Sequence, residues 1–301
     1  MKRPALVFAI LACCSICSSS DTPKRTHIFG IANVRIRVSD FCKAKKFYSM
    51  AAGQHSYCPD DKKPIGGSIA LYSSQMIGLN VNSLNSVLQL NQPCLLEEVG
   101  FFTDDAAALK NYLASQGFEV GELLPRPPSF TIHDPEGHLI SFVERTVPPA
   151  EFRQDRPLEP RIIHAGFIVR DRAATEHFYK DILGFRPYWH GGMKDDQTDW
   201  VSMQVPDGTD WLEFMVNVEP NPDQRLRGIM NHIALGVPDI HAAQQQLLKN
   251  GVKLTEEPKI GRDGKWQLNL YDPDDTRIEF MEFTPVQKPC CSEFTGAHPK
   301  P

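Results

Sequence analysis

The sequence lacks several features that identify well-known classes of protein. No block of lysine and arginine exceeds three residues, and the 301-residue chain carries a net charge of −5, which argues against nucleic acid as its main partner. No apolar run reaches the length of about 20 residues that a membrane-spanning helix requires. Neither a glycine-rich phosphate loop nor a serine nucleophile elbow is present. The proportions of 41% hydrophobic and 23% charged residues are instead typical of a globular protein.

The N-terminus differs from the rest of the chain. Lys2 and Arg3 precede an apolar stretch from Pro4 to Cys14, and small polar residues follow it. This pattern predicts a secretory signal peptide over residues 1–20, and therefore an exported protein, periplasmic or secreted. Cys13 in "LACCS" offers a lipid anchor as an alternative, which would be the one association with a membrane.

Cysteine is too scarce after the signal peptide to build a disulfide framework. Five residues remain: Cys42, Cys58, Cys94, Cys290 and Cys291. Their odd number and irregular spacing argue against a disulfide-rich fold, although one or two bridges stay open.

The rest of the chain is a tandem duplication. "VSDFCKAKKFYSMAAG" at 38–53 matches "VRDRAATEHFYKDILG" at 169–184, and "HDPEGHLISFVE" at 133–144 matches "YDPDDTRIEFME" at 271–282. A proline-rich segment joins the two copies. The predicted organisation is a signal peptide (1–20), an N-terminal copy (28–146), a linker (147–160), a C-terminal copy (161–284) and a proline- and cysteine-containing tail (285–301).

Each copy repeats again internally. In the second copy a strand, a helix and three short strand-like segments occur twice, restarting at "NHIALGVPD". Asp40 and Asp171 stand where helix N-caps are expected, and Ile240, Leu247 and Leu248 recur at helical spacing. We predict an α+β fold of four β-α-β-β-β modules, paired into two half-barrel domains because one module alone leaves a sheet face exposed.

Four residues of the second copy point to a metal site. His164 and His232 each open the first strand of a module, and Glu213 and Glu279 lie 49 and 47 residues later (164 to 213, 232 to 279) in the last strand. Such residues occurring singly are more often structural histidines and solvated glutamates. Their register with the internal repeat favours ligands instead. Two imidazoles and two carboxylates suit Ni, Co, Zn, Mn or Fe(II).

The paired modules, the "HIALGV" strand, the "DPDDTRIEF" turn and strand, and this His-Glu-His-Glu set resemble the vicinal oxygen chelate superfamily. That superfamily includes glyoxalase I, bleomycin-resistance proteins and extradiol dioxygenases. The resemblance is strong over residues 160–284 and weak over 28–146. It implies a metal-binding C-terminal domain and a small-molecule substrate with adjacent oxygens.

The N-terminal copy departs from the ligand pattern. Asn33, Glu98 and Ser141 stand at the positions of His164, His232 and Glu279, and no carboxylate appears near "QMIGLNVN" at the fourth position. We interpret this copy as a degenerate domain without metal, kept for packing, for covering the pocket or for binding another ligand.

Within the superfamily, the full ligand set implies proton transfer of glyoxalase type, a lyase or isomerase reaction. The metal would stabilise the anion formed when a carbon-bound proton leaves, with Glu213 or Glu279 as the base. Asn217 matches a position that contacts glutathione in that family, and Trp211 and Met215 are further expected substrate contacts. Ile168 replaces the arginine expected for the glutathione carboxylate, so we expect a different substrate.

Two other functions remain open at this stage. An Fe(II) extradiol-type dioxygenase would use His164, His232 and Glu279, but Glu213 is then surplus, and His190 is the one candidate acid/base if its loop reaches the pocket. A non-catalytic binding protein of the bleomycin-resistance kind would use the tryptophans alone. The intact ligand set favours an enzyme.

The loop and the assembly give weaker predictions. Arg262 and Lys265 are interpreted as an ordinary polar hairpin, with contact to an anionic substrate as the alternative. The paired modules could form the cup around the metal site within one copy or between two chains, so a homodimer is an open prediction.

Overall fold

The computed structural model describes residues 23–54, 58, 64–71, 74–81, 95–145 and 160–301. The predicted signal peptide, almost all of the predicted linker and Cys94 lie outside these residues. The described chain forms two curled mixed sheets, of seven and eight strands, with helices packed against them. No helix in the described ranges is long and apolar enough to cross a membrane.

The N-terminal sheet has the strand order β2-β3-β1-β4-β7-β6-β5. Its first module pairs with its second through antiparallel contacts between β1 and β4. Its elements are β1 (Ile28–Arg37), α1 (Phe41–Ala51), β2 (Gly66–Ala70), β3 (Met76–Asn80), β4 (Leu96–Thr103), α2 (Ala106–Ser115), β5 (Leu124–Pro125), β6 (Pro128–His133) and β7 (Leu139–Glu144).

The C-terminal sheet has the order β13-β14-β15-β12-β8-β11-β10-β9. The same antiparallel pairing, here between β8 and β12, joins its two modules. The cup therefore closes within one copy of the repeat. The elements are β8 (Arg161–Ile168), α3 (Arg172–Glu176) continued by a π-helical turn (His177–Ile182), β9 (Arg186–Gly191), β10 (Trp200–Gln204), β11 (Trp211–Met215), α4 (Gln224–Met230), β12 (His232–Val237), α5 (Ile240–Lys249), β13 (Lys259–Ile260), β14 (Trp266–Tyr271) and β15 (Arg277–Glu282).

Aspartate begins the main helix of each module. The carboxylates of Asp40, Asp105, Asp171 and Asp239 accept hydrogen bonds from backbone N–H groups two or three residues later, which satisfies donors that have no partner inside the helix. Asp40 and Asp171 thus occupy the predicted N-cap positions.

Helix α5 corrects one detail of the predicted apolar face. Ile240 and Leu247 are fully buried, whereas the side chain of Leu248 is 54% exposed. Adjacent helical residues point about 100° apart, so Leu248 cannot share the buried face that Leu247 occupies.

The two halves meet through a pair of equivalent buried hydrogen bonds. The hydroxyl of Tyr48 in α1 donates to Asp272, and that of Tyr179 donates to Asp134, both at 3.0 Å. Asp272 also accepts backbone N–H bonds from its own turn, and burial raises its pKa to about 6. One continuous apolar core includes residues of both halves, so the sheets support each other.

Candidate metal centre

Three of the four predicted ligands, His164, Glu213 and His232, have ligand atoms within 4.8 Å of one another, and Glu279 lies beside His164. His164 and Glu213 come from neighbouring strands of one module, and His232 and Glu279 from neighbouring strands of the other. The two imidazole Nε2 atoms lie 3.1 Å apart. An Oε2 of Glu279 lies 3.5 Å from the Nε2 of His164, and one of Glu213 lies 3.3 Å from the Nε2 of His232. Each imidazole therefore has one carboxylate beside it.

A glycine makes room for this arrangement. Gly166 of β8 lies opposite both Glu213 and His232 in the strand pairing. A Cβ at Gly166 would lie 2.1 Å from Cε1 and 2.5 Å from Nδ1 of His232. Such separations are far below van der Waals contact, so the imidazole of His232 can occupy its position because residue 166 has no side chain.

Burial controls the charge of the cluster. It lowers the pKa of His164 and His232 well below the usual histidine value, so both imidazoles are neutral near pH 7, as metal ligation requires. Burial also raises the pKa of Glu279 to about 8. Glu213 is more accessible, with its side chain 14% exposed.

A cavity of about 650 Å³ opens over the cluster. Glu213 and Glu279 line it together with a wall of aromatic side chains that includes Trp211. Met281 lines it as well, whereas Met215 is buried but is not among the lining residues.

Asn217 lies beyond the end of β11 in a left-handed turn with φ +59°. Its amide donates to the Thr198 carbonyl and to Asp199, and it does not line the cavity. Of the three expected substrate contacts, the structure thus brings Trp211 alone to the cavity wall.

The C-terminal tail forms part of this wall. Lys288, Cys290 and Phe294 line the cavity. The tail is held by the indole N–H of Trp189, which donates to the Cys290 carbonyl at 3.2 Å, and by backbone and hydroxyl contacts of Thr295 with β9. No periodicity in the tail sequence predicts this position.

The tail also carries one of two disulfides in the described residues. Cys42 is bonded to Cys58, and Cys290 to Cys291. Asp195 lies close enough to the two tail sulfurs to form a second group of potential metal ligands. Because these sulfurs are bonded to each other, they are not available as thiolate ligands.

Lys265 is a buried cation that the sequence interpretation missed. The side chain is fully buried, and its Nζ has no hydrogen-bond partner among the described residues. The Nζ lies 4.5 Å from the ring centre of Trp211, 5.1 Å from Phe294 and 5.6 Å from Tyr188. Burial lowers its pKa to about 8. The interpretation as an ordinary polar hairpin is therefore wrong for Lys265.

The C-terminal half of the chain is similar in sequence to known proteins. Residues 161–280 match the model of the Glyoxalase/Bleomycin resistance protein/Dioxygenase superfamily. A lactoylglutathione lyase of Haemophilus influenzae is 27% identical over 124 residues, which are 40% of this chain and 92% of the lyase. The residues matched by the superfamily model include all four residues of the ligand cluster.

Solved structures extend the similarity of fold to both halves. A catechol 2,3-dioxygenase has a TM-score of 0.60 at 14% identity, covering 92% of this chain and 96% of that chain. The homoprotocatechuate 2,3-dioxygenase of Brevibacterium fuscum, in complex with 3,4-dihydroxyphenylacetate, has a TM-score of 0.60 at 20% identity, covering 91% and 84%. At these identities the likeness is one of fold.

Proposed function

We propose that this chain, whose C-terminal half matches the glyoxalase, bleomycin-resistance and dioxygenase superfamily, is a metal-dependent enzyme of glyoxalase type. It would move a proton on a small molecule with two adjacent oxygens. The observation that carries the proposal is the pair of buried imidazoles 3.1 Å apart, each with a carboxylate beside it, at a cavity.

The donor set fits a divalent cation. The Nδ1 of His232 lies 3.3 Å from the Met230 carbonyl, which favours a proton on Nδ1 and a lone pair on Nε2, directed at His164. Two nitrogen donors with the Glu213 carboxylate, whose ligand atoms lie within 4.8 Å of one another, and with Glu279 beside His164, suit Ni, Co, Zn, Mn or Fe(II). Once bound, such an ion supplies Lewis-acid stabilisation of negative charge on the substrate oxygens.

The side chains of this protein would then supply the base. Glu213 and Glu279 both line the cavity, where either carboxylate can reach a substrate held at the cluster. Aromatic side chains, Trp211 among them, line the cavity beside these carboxylates, and their low polarity strengthens electrostatic interactions there.

The substrate is proposed to differ from that of the named relative. That relative is a lactoylglutathione lyase, whereas Ile168 stands where the resemblance implies an arginine for the glutathione carboxylate. A small 2-hydroxycarbonyl or 2-oxo compound has the adjacent oxygens that the proposal needs.

Hydrogen exchange tests this function. The full chain, loaded with Ni(II) or Zn(II), is incubated in D2O with hydroxyacetone, and separately with the hemithioacetal of methylglyoxal and glutathione, and followed by NMR. We expect metal-dependent exchange or rearrangement of the hydrogen on carbon with at least one of these. Glu213→Gln and Glu279→Gln should abolish it, and Glu219→Gln, at an exposed residue, should not. No exchange in the loaded protein with either compound contradicts the proposal.

An extradiol-type dioxygenase is the second candidate, because His164, His232 and Glu279 alone form a two-histidine, one-carboxylate set. Two observations weigh against it. Glu213 is a fourth group at the cluster, and His190 is exposed, its backbone N–H bonded to Ser292, so that it does not line the cavity. Oxygen uptake by the Fe(II)-loaded chain with 3,4-dihydroxyphenylacetate would favour this candidate.

We also propose that the protein is exported. The disulfides Cys42–Cys58 and Cys290–Cys291 support this proposal, because disulfides persist mainly in oxidising compartments. Expression of the full chain in a secreting host should yield a mature protein whose mass shows cleavage near residue 20; an uncleaved, retained chain would contradict it.

A further inference from the structure

The N-terminal sheet carries a polar cluster at the positions that match the metal ligands. Glu98 of β4 is its centre, with its side chain 6% exposed. One carboxylate oxygen accepts hydrogen bonds from the Asn33 amide at 2.9 Å and from the Ser141 hydroxyl at 2.6 Å. The other lies 2.9 Å from Nη2 of Arg35. The buried carboxylate is therefore both hydrogen-bonded and paired with a cation.

The strand register shows what this cation replaces. Arg35 lies opposite Gly78, as Gly166 lies opposite Glu213 in the other sheet. Arg35 thus occupies in the N-terminal copy the position that Gly166 has in the C-terminal copy. Gly78 likewise occupies the position of Glu213. The guanidinium of Arg35 stands in the part of the cup where the C-terminal copy gathers its ligands.

A cavity of about 870 Å³ lies over this cluster. Asn33, Arg35, Glu98 and Ser141 all line it, so one side of the cavity is polar and includes the guanidinium of Arg35. The side chain of Arg35 is 36% exposed, and its pairing with Glu98 engages one nitrogen of the guanidinium. A guanidinium has five N–H donors in a planar fork that matches a carboxylate, so the outer nitrogens can take a second, bound carboxylate.

Two exposed apolar side chains also line the cavity. Met76 is 46% exposed and Leu124 is 55% exposed, and both line the cavity. Large apolar side chains gathered at an opening commonly mark a binding site. Glu122 is an exposed acid that lines the cavity as well; it disfavours ligands with several negative charges.

We propose that the N-terminal sheet forms a second, metal-free binding site for a small monocarboxylate with an apolar body. Arg35 binds the carboxylate of the ligand, and its ion pair with Glu98 holds the guanidinium in position. Met76 and Leu124 contact the apolar part of the ligand. The degenerate copy is then a ligand site in its own right, independent of the reaction in the other half.

Calorimetric titration of the intact, metal-free chain with phenylacetate tests this site. The informative variant is the double substitution Arg35→Met and Glu98→Gln, because removal of the arginine alone leaves a buried carboxylate unpaired. The amide oxygen introduced by Glu98→Gln can still accept hydrogen bonds from Asn33 and Ser141. Arg37→Met is the matched control: the same substitution, on the same strand, at a residue that does not line the cavity.

We expect phenylacetate to bind to the native chain and to Arg37→Met equally, and at least about ten-fold more weakly to the double variant, as loss of a charge-assisted hydrogen bond implies. The neutral analogue 2-phenylethanol should bind as weakly as phenylacetate does to the double variant. No binding of phenylacetate to the native chain contradicts the proposal. So does unchanged binding to the folded double variant, or loss of binding in Glu213→Gln, which would place the ligand in the other cup.

Discussion

The substitution Gly166→Ala tests the geometry of the metal centre without altering any ligand. Residue 166 lies in a strand with no positive φ, so alanine suits the backbone. The nearest obstacle is the imidazole of His232, whose Cε1 would lie 2.1 Å from the new Cβ. The ring has to move, and we expect overpacking to cost about 1–3 kcal/mol of the free energy of unfolding.

The displaced ring should also weaken metal binding. Disturbance of the residues that orient a ligand typically costs about 10–100-fold in metal affinity, and we expect a loss in that range for Gly166→Ala. Competition for Zn(II) with a chromophoric chelator measures the affinity, and urea unfolding measures the stability of the metal-free protein. Gly78→Ala is the matched control, because its Cβ would meet its nearest atom at an ordinary 3.4 Å.

A double-mutant cycle separates the steric cause from other effects. In a His232→Ala background the ring is absent, so Gly166→Ala should cost little further stability and the two changes should be strongly non-additive. Native stability and native affinity in Gly166→Ala would refute the geometry described for His232. Full additivity in the cycle would refute the steric explanation.

The buried charges lead to three further predictions. Burial raises the pKa of Glu279 to about 8. Binding of Zn(II) at pH 7 should therefore release about one proton, and the affinity for Zn(II) should rise with pH up to about 8. Calorimetry in two buffers measures the proton release, and its absence would contradict this prediction. Tyr48→Phe removes a hydrogen-bond donor to Asp272, whose pKa is about 6. It should lower the free energy of unfolding by about 1–3 kcal/mol, and by more at pH 8, where the carboxylate is ionised, than at pH 5. An equal cost at both pH values in urea titrations would count against a hydrogen bond to the ionised carboxylate. Phe294→Ala removes one ring beside Lys265, whose pKa is about 8. The loss in the free energy of unfolding, measured in urea, should be smaller at pH 9.5 than at pH 7, because a neutral amine has no cation–π attraction to lose. A loss that does not change with pH would refute that role.

The ligand cluster could be predicted from sequence because it depends on short-range patterns. Strand alternation separates Glu213 from Leu212 and Phe214, and the structure places these two in the apolar core. The internal repeat then predicts the second half of the cluster, because His232 and Glu279 occupy in the second module the positions of His164 and Glu213 in the first. The structure brings His164, Glu213 and His232 together and sets Glu279 beside His164, although spacing alone left open whether the curled sheet closes within one copy.

The cavity wall could not be predicted in the same way. The tail reaches it through contacts such as that of Trp189 with Cys290, which are 101 residues apart in the chain. Lys265 has the sequence context of a polar hairpin, yet it is buried beside three aromatic rings, one of which, Phe294, belongs to that same tail. Long-range packing of this kind leaves no periodic signal, and helix spacing likewise did not distinguish the exposed Leu248 from its buried neighbour.

The polar cluster of the N-terminal sheet could likewise be predicted only in part. Asn33, Glu98 and Ser141 could be matched to the ligand positions and recognised as unsuited to a metal. The role of Arg35 depends on the strand register that sets it opposite Gly78, and on the ion pair with Glu98. Neither could be inferred from residue types alone.

The metal content of the mature full chain, measured by elemental mass spectrometry, tests the central claim most directly. We predict about one Ni, Co, Zn or Mn ion per chain, and a clear reduction in Glu213→Gln, because that carboxylate lies 3.3 Å from His232 at the cluster. Iron that survives the substitution would contradict the four-ligand account and favour the dioxygenase. No metal, even after reconstitution, would contradict both enzymatic functions.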